Sequence, residues 1–233
     1  MKYKAVLFDL DGTLLPLDND VFMKRYFGAI TKWLAPHGYD PRETMESILA
    51  GSYAMVKNNG ERCNEAVFWE VFEGRHGATD KEVFDAFYAK EAIKVMDMCG
   101  CDPRAREVVD AVRSGGALAV LATNPMFPAV FTHMRARKAG LSVEDFAMVT
   151  TFEDSFHCKP NPDYYMDILR ELDLAPADCL MVGNDVEEDM IPAASLGMDT
   201  FLLTECLLNK KDRDIAAYPH GDFDALLAFL RTA

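Results

Sequence analysis

The chain has 233 residues, half of them hydrophobic and 27% charged, enough for one large folded unit or two small ones with a sizeable core. Acids outnumber bases 38 to 24, for a formal net charge of -14, which argues against non-specific binding to nucleic acid or anionic membranes, since both need basic surface. No apolar run approaches the ~20 residues of a membrane span, and Met1-Lys2-Tyr3-Lys4 leads into a short strand and then acids, unlike a signal sequence.

Six cysteines in such a chain read as reduced thiols rather than a disulfide framework. Cys99-Gly-Cys101 has no matching Cys/His pair and is not read as a metal site. A cytoplasmic protein, monomeric or homodimeric, is expected.

The first element is Ala5-Val6-Leu7-Phe8, apolar without alternation. That pattern predicts a strand buried on both faces, as in a parallel sheet. Ligands of such sheets bind beyond the carboxyl ends of the strands, where Asp9 sits. Asp11, Gly12 and Thr13 follow. Two acids this close repel, so they need a cation, a hydrogen-bond network or one shared proton. The plainer alternative is an Asp-Gly turn.

Residues from about 17 to 95 show helical spacing and no convincing strand. The predicted helices run from about Val21 to Leu34, from Pro41 past Tyr53, from Asn64 to Phe72, and onward from Thr79 as N-cap with Glu82 three residues on. From about 102 helix and strand alternate. Helix Pro103–Ser114 precedes strand 117–122, which ends at Thr123-Asn124. A helix from Pro128 to about Ala139, a short strand at 146–149 and helix Pro162–Leu172 come next. Strand 180–182 ends at Gly183-Asn184-Asp185. A helix at about 187–196, strand 200–203 and helix 222–231 complete the chain. The pattern predicts an α/β fold, a parallel sheet covered on both faces by helices. Its core comprises residues 1–16 and 96–233, with a helical insertion at 17–95.

Three strand ends therefore carry polar residues: Asp9 and Asp11, then Thr123 and Asn124, then Asn184, Asp185 and Asp189. Lys159-Pro160 lies between the last two. Carboxylates, a hydroxyl, an amide and a lysine suit Mg²⁺ with its preference for one or two carboxylates plus phosphate oxygens. The same set suits phosphoryl transfer, where catalysis is mostly positioning and charge stabilisation. Taken singly, Thr123-Asn124 also reads as a helix cap, Lys159 as a solvated turn lysine and the 185–189 acids as a favourable helix N-terminus.

Asp9-Leu-Asp11-Gly-Thr13, Thr123-Asn124, Lys159-Pro160 and Gly183-Asn184-Asp185-Val-Glu-Glu-Asp189 together resemble the four ordered motifs of the haloacid dehalogenase-like hydrolases. The resemblance implies a Rossmann-like core with an α-helical cap inserted after the first motif. It makes Asp9 the nucleophile that forms an aspartyl-phosphate, and Asp11 the general acid and then base, its carbonyl contacting Mg²⁺. Gly12 and Thr13 complete the first motif beside the phosphate. Thr123 would bond the phosphoryl oxygens with Asn124 beside it, and Lys159 would neutralise charge between nucleophile and phosphate. The Asp-x-Asp pair implies a phosphatase or phosphomutase, since dehalogenase members lack the second Asp.

The fourth motif departs from the family's usual Gly-Asp, because Asn184 directly follows Gly183. The metal ligands are therefore Asp9, Asp11 and one of Asn184, Asp185 or Asp189, an anionic Asp185 or Asp189 being preferred. Lys24, Arg25, Lys57, Arg62, Arg75 and His76 are the insertion's candidate anion contacts. The expected activity is Mg²⁺-dependent hydrolysis of a small phosphorylated metabolite such as a sugar phosphate, phosphoglycolate or nucleotide. The alternatives are a phosphomutase, whose closed cap excludes water, and a weakly active or non-catalytic binding protein that keeps the fold.

Overall fold

Strand β1 (Ala5–Phe8) is wholly buried and lies inside a six-stranded parallel sheet. The others are β2 (Leu118–Leu121), β3 (Met148–Val149), β4 (Cys179–Gly183), β5 (Asp199–Leu203) and β6 (His220–Gly221). The structure is a computed structural model and describes residues 1–232. Spatial order is β3-β2-β1-β4-β5-β6, with Phe8 in register with Leu121 on β2 and Val182 on β4. The chain builds outward from β1 to β3, then returns to lay β4 on the other side of β1. The topological switch point thus lies between β1 and β4, the place where open α/β sheets bind ligands.

The unalternating apolar strands are explained by cover on both faces. Val6, Phe8, Leu121 and Val182 point into one apolar cluster, while Ala5, Leu7, Val120 and Met181 point into the other.

Between β1 and β2 the chain forms helices α1 (Asn19–Leu34), α2 (Pro41–Val56), α3 (Asn64–His76), α4 (Lys81–Lys90) and the short α5 (Ala92–Val95). Aromatic rings hold this block together. Trp69 meets Phe84 edge-on with centroids 5.1 Å apart, and Phe72 meets Phe84 at 5.3 Å. Gly51 on α2 lets the Phe68 ring of α3 sit where a Cβ would be. Asp40 caps α2 by accepting from the Arg42 and Glu43 amides, with Pro41 at the first helical position as its fixed φ favours. The α4 cap is Asp80, one residue after the expected Thr79, because the Asp80 carboxylate takes the Glu82 amide while the Thr79 hydroxyl donates to the Gly77 carbonyl.

The core helices are α6 (Pro103–Ser114), α7 (Ala129–Lys138), α8 (Pro162–Glu171), α9 (Ile191–Ser195) and α10 (Phe223–Thr232). Val108, Phe131 and Leu226 cover one sheet face from α6, α7 and α10; Tyr165, Ile168 and Ala193 cover the other from α8 and α9. The result is a three-layer, Rossmann-like α/β/α core. The expected helix at 187–196 is instead a π-helical turn over Val186–Met190 that runs into α9. The short strand expected at 146–149 is β3, whereas β6 was not expected because His220-Gly221 has no apolar residue to mark it as a strand.

The helical block rests on the core at two places. Tyr26 and Tyr88 pack on Phe127 and Phe131 at centroid distances of 5.1 and 5.6 Å. The first amides of α3, on Asn64 and Glu65, donate to the Ser155 and Phe152 carbonyls at 2.8 Å each. The core thus satisfies donors that a helix N-terminus cannot satisfy itself.

Candidate active site

The carboxyl ends of β1, β2 and β4 bring the motif residues to one crevice. The Asp9 amide donates to the Val182 carbonyl at 2.9 Å, which extends the β1–β4 ladder by one residue and fixes the carboxylate over the switch point. The chain then turns sharply: Gly12 donates to the Leu15 carbonyl and Leu15 to the Leu10 carbonyl, both at 2.8 Å. Gly12 has φ +82°, and a Cβ there would run into the Asn184 amide, so both conformation and space require glycine. The Thr13 hydroxyl donates to Asn184 Oδ1 at 3.0 Å, tying the first motif to the fourth.

Lys159 is 1% exposed and bridges two carboxylates, Asp9 Oδ1 at 2.8 Å and Asp189 Oδ1 at 2.7 Å. Burial alone would lower the lysine's proton affinity, but Asp189 and Asp9 outweigh it and raise it well above the ordinary value. Lys159 therefore stays an ammonium. Burial likewise pushes the Asp189 carboxyl up to about 7, against the pull of Lys159. The second Asp189 oxygen accepts the Asn184 and Asp185 amides at 3.1 Å each. A Cβ on Gly183 would overlap that carboxylate, which explains the glycine before the acidic turn.

Thr123 and Asn124 line the same cavity. The Thr123 carbonyl is held by the Thr150 hydroxyl at 2.7 Å and the Tyr164 hydroxyl at 2.9 Å, which fixes the loop after β2. The Asn124 amide donates to Glu188 Oε2 at 2.9 Å, and burial raises the Glu188 carboxyl above its ordinary value.

Two residues escaped the sequence reading. Arg135 on α7 is fully buried and ion-pairs with Asp11 Oδ2. Its guanidinium also receives the Phe127 and Phe131 ring faces at 4.7 and 5.4 Å. Burial still pushes the Asp11 carboxyl upward against this positive charge, and Asp11 Oδ1 is buried with no partner among the described residues. The second is Glu188, read only as part of an acidic run. For Arg135 a signal existed: it stands four residues after Phe131 on the face that also carries Thr132 and Ala136, all buried.

The donor set fits a hard cation. Among the described residues, Asp9 Oδ2, the Asp11 carbonyl and Asp185 Oδ2 have no hydrogen-bond partner. Asn184 does not share that freedom: its Oδ1 takes Thr13, and its Nδ2 donates to the Cys206 carbonyl at 2.7 Å. Asp189 has both oxygens engaged. No three His, Cys, Asp or Glu side chains cluster as a ready metal cage among the described residues. Two carboxylates and one carbonyl match an ion that keeps waters and substrate oxygens in its shell.

The crevice continues into a cavity of about 310 Å³ that runs from Asp9 and Asp11 to the helical block. Of the six basic residues proposed as anion contacts, none lines it. Arg62 pairs with Glu70, and Arg75 bonds Ser47 and approaches Glu46 at 3.6 Å. Lys81 and Lys210 line it instead.

The curated relatives of this chain include the pyrophosphatase PpaX of Bacillus anthracis, 24% identical over 202 residues that cover 86% of this chain and 82% of the relative. Among solved structures, a HAD phosphatase from Thermococcus onnurineus superposes with a TM-score of 0.60 at 19% identity, covering 97% of each chain. A 2-haloacid dehalogenase from Pseudomonas syringae pv. tomato superposes with a TM-score of 0.64 at 20% identity, covering 99% of this chain and 100% of that one. These likenesses show the fold. The family model described as haloacid dehalogenase-like hydrolase matches residues 3–197, which span all four motifs, and the chain belongs to that family of hydrolases.

Proposed function

We propose that this hydrolase is a Mg²⁺-dependent phosphatase acting on a small phosphate monoester, with residues 17–95 serving as a cap over a core of residues 1–16 and 96–233. The observation that carries the reading is the Asp9 carboxylate. Lys159 holds one of its oxygens at 2.8 Å, the other accepts no hydrogen bond among the described residues, and Asp9 lines the cavity. A carboxylate fixed in this way is aimed as a nucleophile rather than used as a structural ion pair.

In the first step the Asp9 carboxylate attacks phosphorus through one oxygen and the bond to the leaving oxygen breaks, giving an aspartyl-phosphate. Asp11 donates the proton that the departing alkoxide takes up. In the second step Asp11 accepts a proton from water as the water attacks the phosphoryl group, which returns Asp9 as a carboxylate and releases phosphate. Thr123, with Asn124 beside it, orients the phosphoryl oxygens, and Lys159 offsets their charge beside Asp9. Asp9, the Asp11 carbonyl and Asp185 would hold Mg²⁺, which when bound neutralises charge shared between Asp9 and the phosphoryl oxygens. Aromatic packing of the cap on Phe127 and Phe131 would help exclude bulk water from the crevice.

The test is release of inorganic phosphate from acetyl phosphate by wild type and Asp9→Asn in Mg²⁺. The near-isosteric amide keeps the shape and loses the nucleophile. Wild type should turn over and the variant should retain below about 1% of its rate. A variant that keeps a tenth of the rate or more rules Asp9 out as nucleophile.

A further inference from the structure

The cavity's far end differs in chemistry from its catalytic end. Tyr26, Phe27, Phe68, Trp69, Phe84 and Tyr88 line it from the helical block. The Tyr26 and Tyr88 hydroxyls bond each other at 2.8 Å, which commits one of the two O–H groups and leaves the other as a single donor beside the rings. Lys81 is the block's one cation among the cavity-lining residues described, and its ammonium lies 4.8 Å over the Trp69 ring. Glu65 and Asp85 line the cavity from the same block, and Glu153 adds a carboxylate committed to the Ala129 amide at 2.9 Å.

This lining discriminates among phosphate esters. A second phosphate at the far end would meet more acids than cations, with no arginine reaching it. A polyhydroxylated sugar would find Ser52, Glu65, Lys81 and Asp85 as partners, but six aromatic side chains line the same end, and each hydroxyl buried against a ring without a partner lowers affinity. A flat apolar group, by contrast, meets edges and faces of aromatic rings. The volume, near the lower end of the ~300–1,000 Å³ typical of ligand pockets, suits one phosphate and one ring system.

We infer that the organic part of the substrate is an uncharged, ring-bearing apolar alcohol carried on a single phosphate. The inference rests on the phosphatase reading above and assigns the aromatic end of the cavity as the leaving-alcohol site.

The experiment compares ethyl phosphate with 2-phenylethyl phosphate in Mg²⁺, with acetyl phosphate as a control that has almost no organic part. The two alcohols have similar acidity, so the ratio of their kcat/KM values reports the ring and not the leaving group. Burial of the ring should favour 2-phenylethyl phosphate by at least ~10-fold, with glucose 6-phosphate and pyrophosphate falling below it. Phe27→Ser, at a partly buried lining position, should bring the ratio toward one. Because both substrates are read on one preparation, the ratio does not depend on how much of the variant is folded. Turnover of acetyl phosphate with a ratio of one or less, or with glucose 6-phosphate or pyrophosphate preferred, overturns this inference and leaves the phosphatase reading standing. An unchanged ratio in Phe27→Ser removes the assignment of the site to these rings. No turnover of any of these compounds, acetyl phosphate included, overturns the phosphatase reading and the inference with it.

Discussion

Asp185 and Asp189 lie four residues apart and have different duties. Asp189 is 1% exposed, with one oxygen on Lys159 and the other on two backbone amides. Asp185 caps the π-helical turn with Oδ1 and leaves Oδ2 free. Asp185→Ala should therefore raise the Mg²⁺ concentration needed for half-maximal activity several-fold or more, while Asn184→Ala leaves it nearly unchanged. Asp189→Ala should instead strip Lys159 of a partner and lower stability in denaturant unfolding by about 3 kcal/mol. The sequence placed all three residues together but did not separate them, because spacing shows proximity and not which lone pairs are already taken. Arg135 makes the same point more sharply. An arginine in a helix reads as solvated, and its partner Asp11 is 124 residues away. Arg135→Met should cost about 3 kcal/mol of stability, since it leaves the buried Asp11 carboxyl without its countercharge. A loss under about 1 kcal/mol would mean that the pair is not a structural one.

At the scale of elements, the strands and long helices were legible because their patterns are local. Ala5–Phe8 shows no alternation and is buried on both faces, and Asp40-Pro41 starts α2 as a cap followed by proline should. The short strand at 146–149 was legible from its apolar residues, but turns held by partners distant in sequence were not. The 3₁₀ turn over Val143–Asp145 is an example. Asp145 accepts the Ser142 amide at 2.7 Å, Arg106 at 2.6 Å and Arg113 at 2.9 Å, which pins this turn to α6. The Arg106 hydrogen bond holds the Asp145 carboxyl below its ordinary value. A lowered carboxylate stabilises the fold at pH above its unfolded value of about 3.9, and that contribution disappears as pH falls through the lower folded value. Asp145→Asn should therefore cost about 1 kcal/mol at pH 7, with the gap to wild type closing below about pH 4. A gap independent of pH would assign the effect to packing rather than charge.

For the whole molecule, the sheet order explains why the four motifs meet. β1 and β4 are adjacent although 170 residues separate their ends, and the switch point between them sets Asp9 beside the 184–189 turn. The alternation of helix and strand predicted this class of core, and the long strand-free stretch predicted where the helices of the block would lie. What the sequence left open was the cavity's lining, because helical spacing alone does not show that Tyr26, Trp69 and Phe84 on α1, α3 and α4 line the crevice. The most direct test of the account is to quench the wild-type enzyme in acid during turnover of acetyl phosphate and map the phosphorylated peptide by mass spectrometry. The account predicts one phosphoryl group, carried by Asp9 and absent from Asp9→Asn. A rapidly turning-over enzyme with no phosphoryl adduct at any quench time, or with the adduct on another residue, would contradict it.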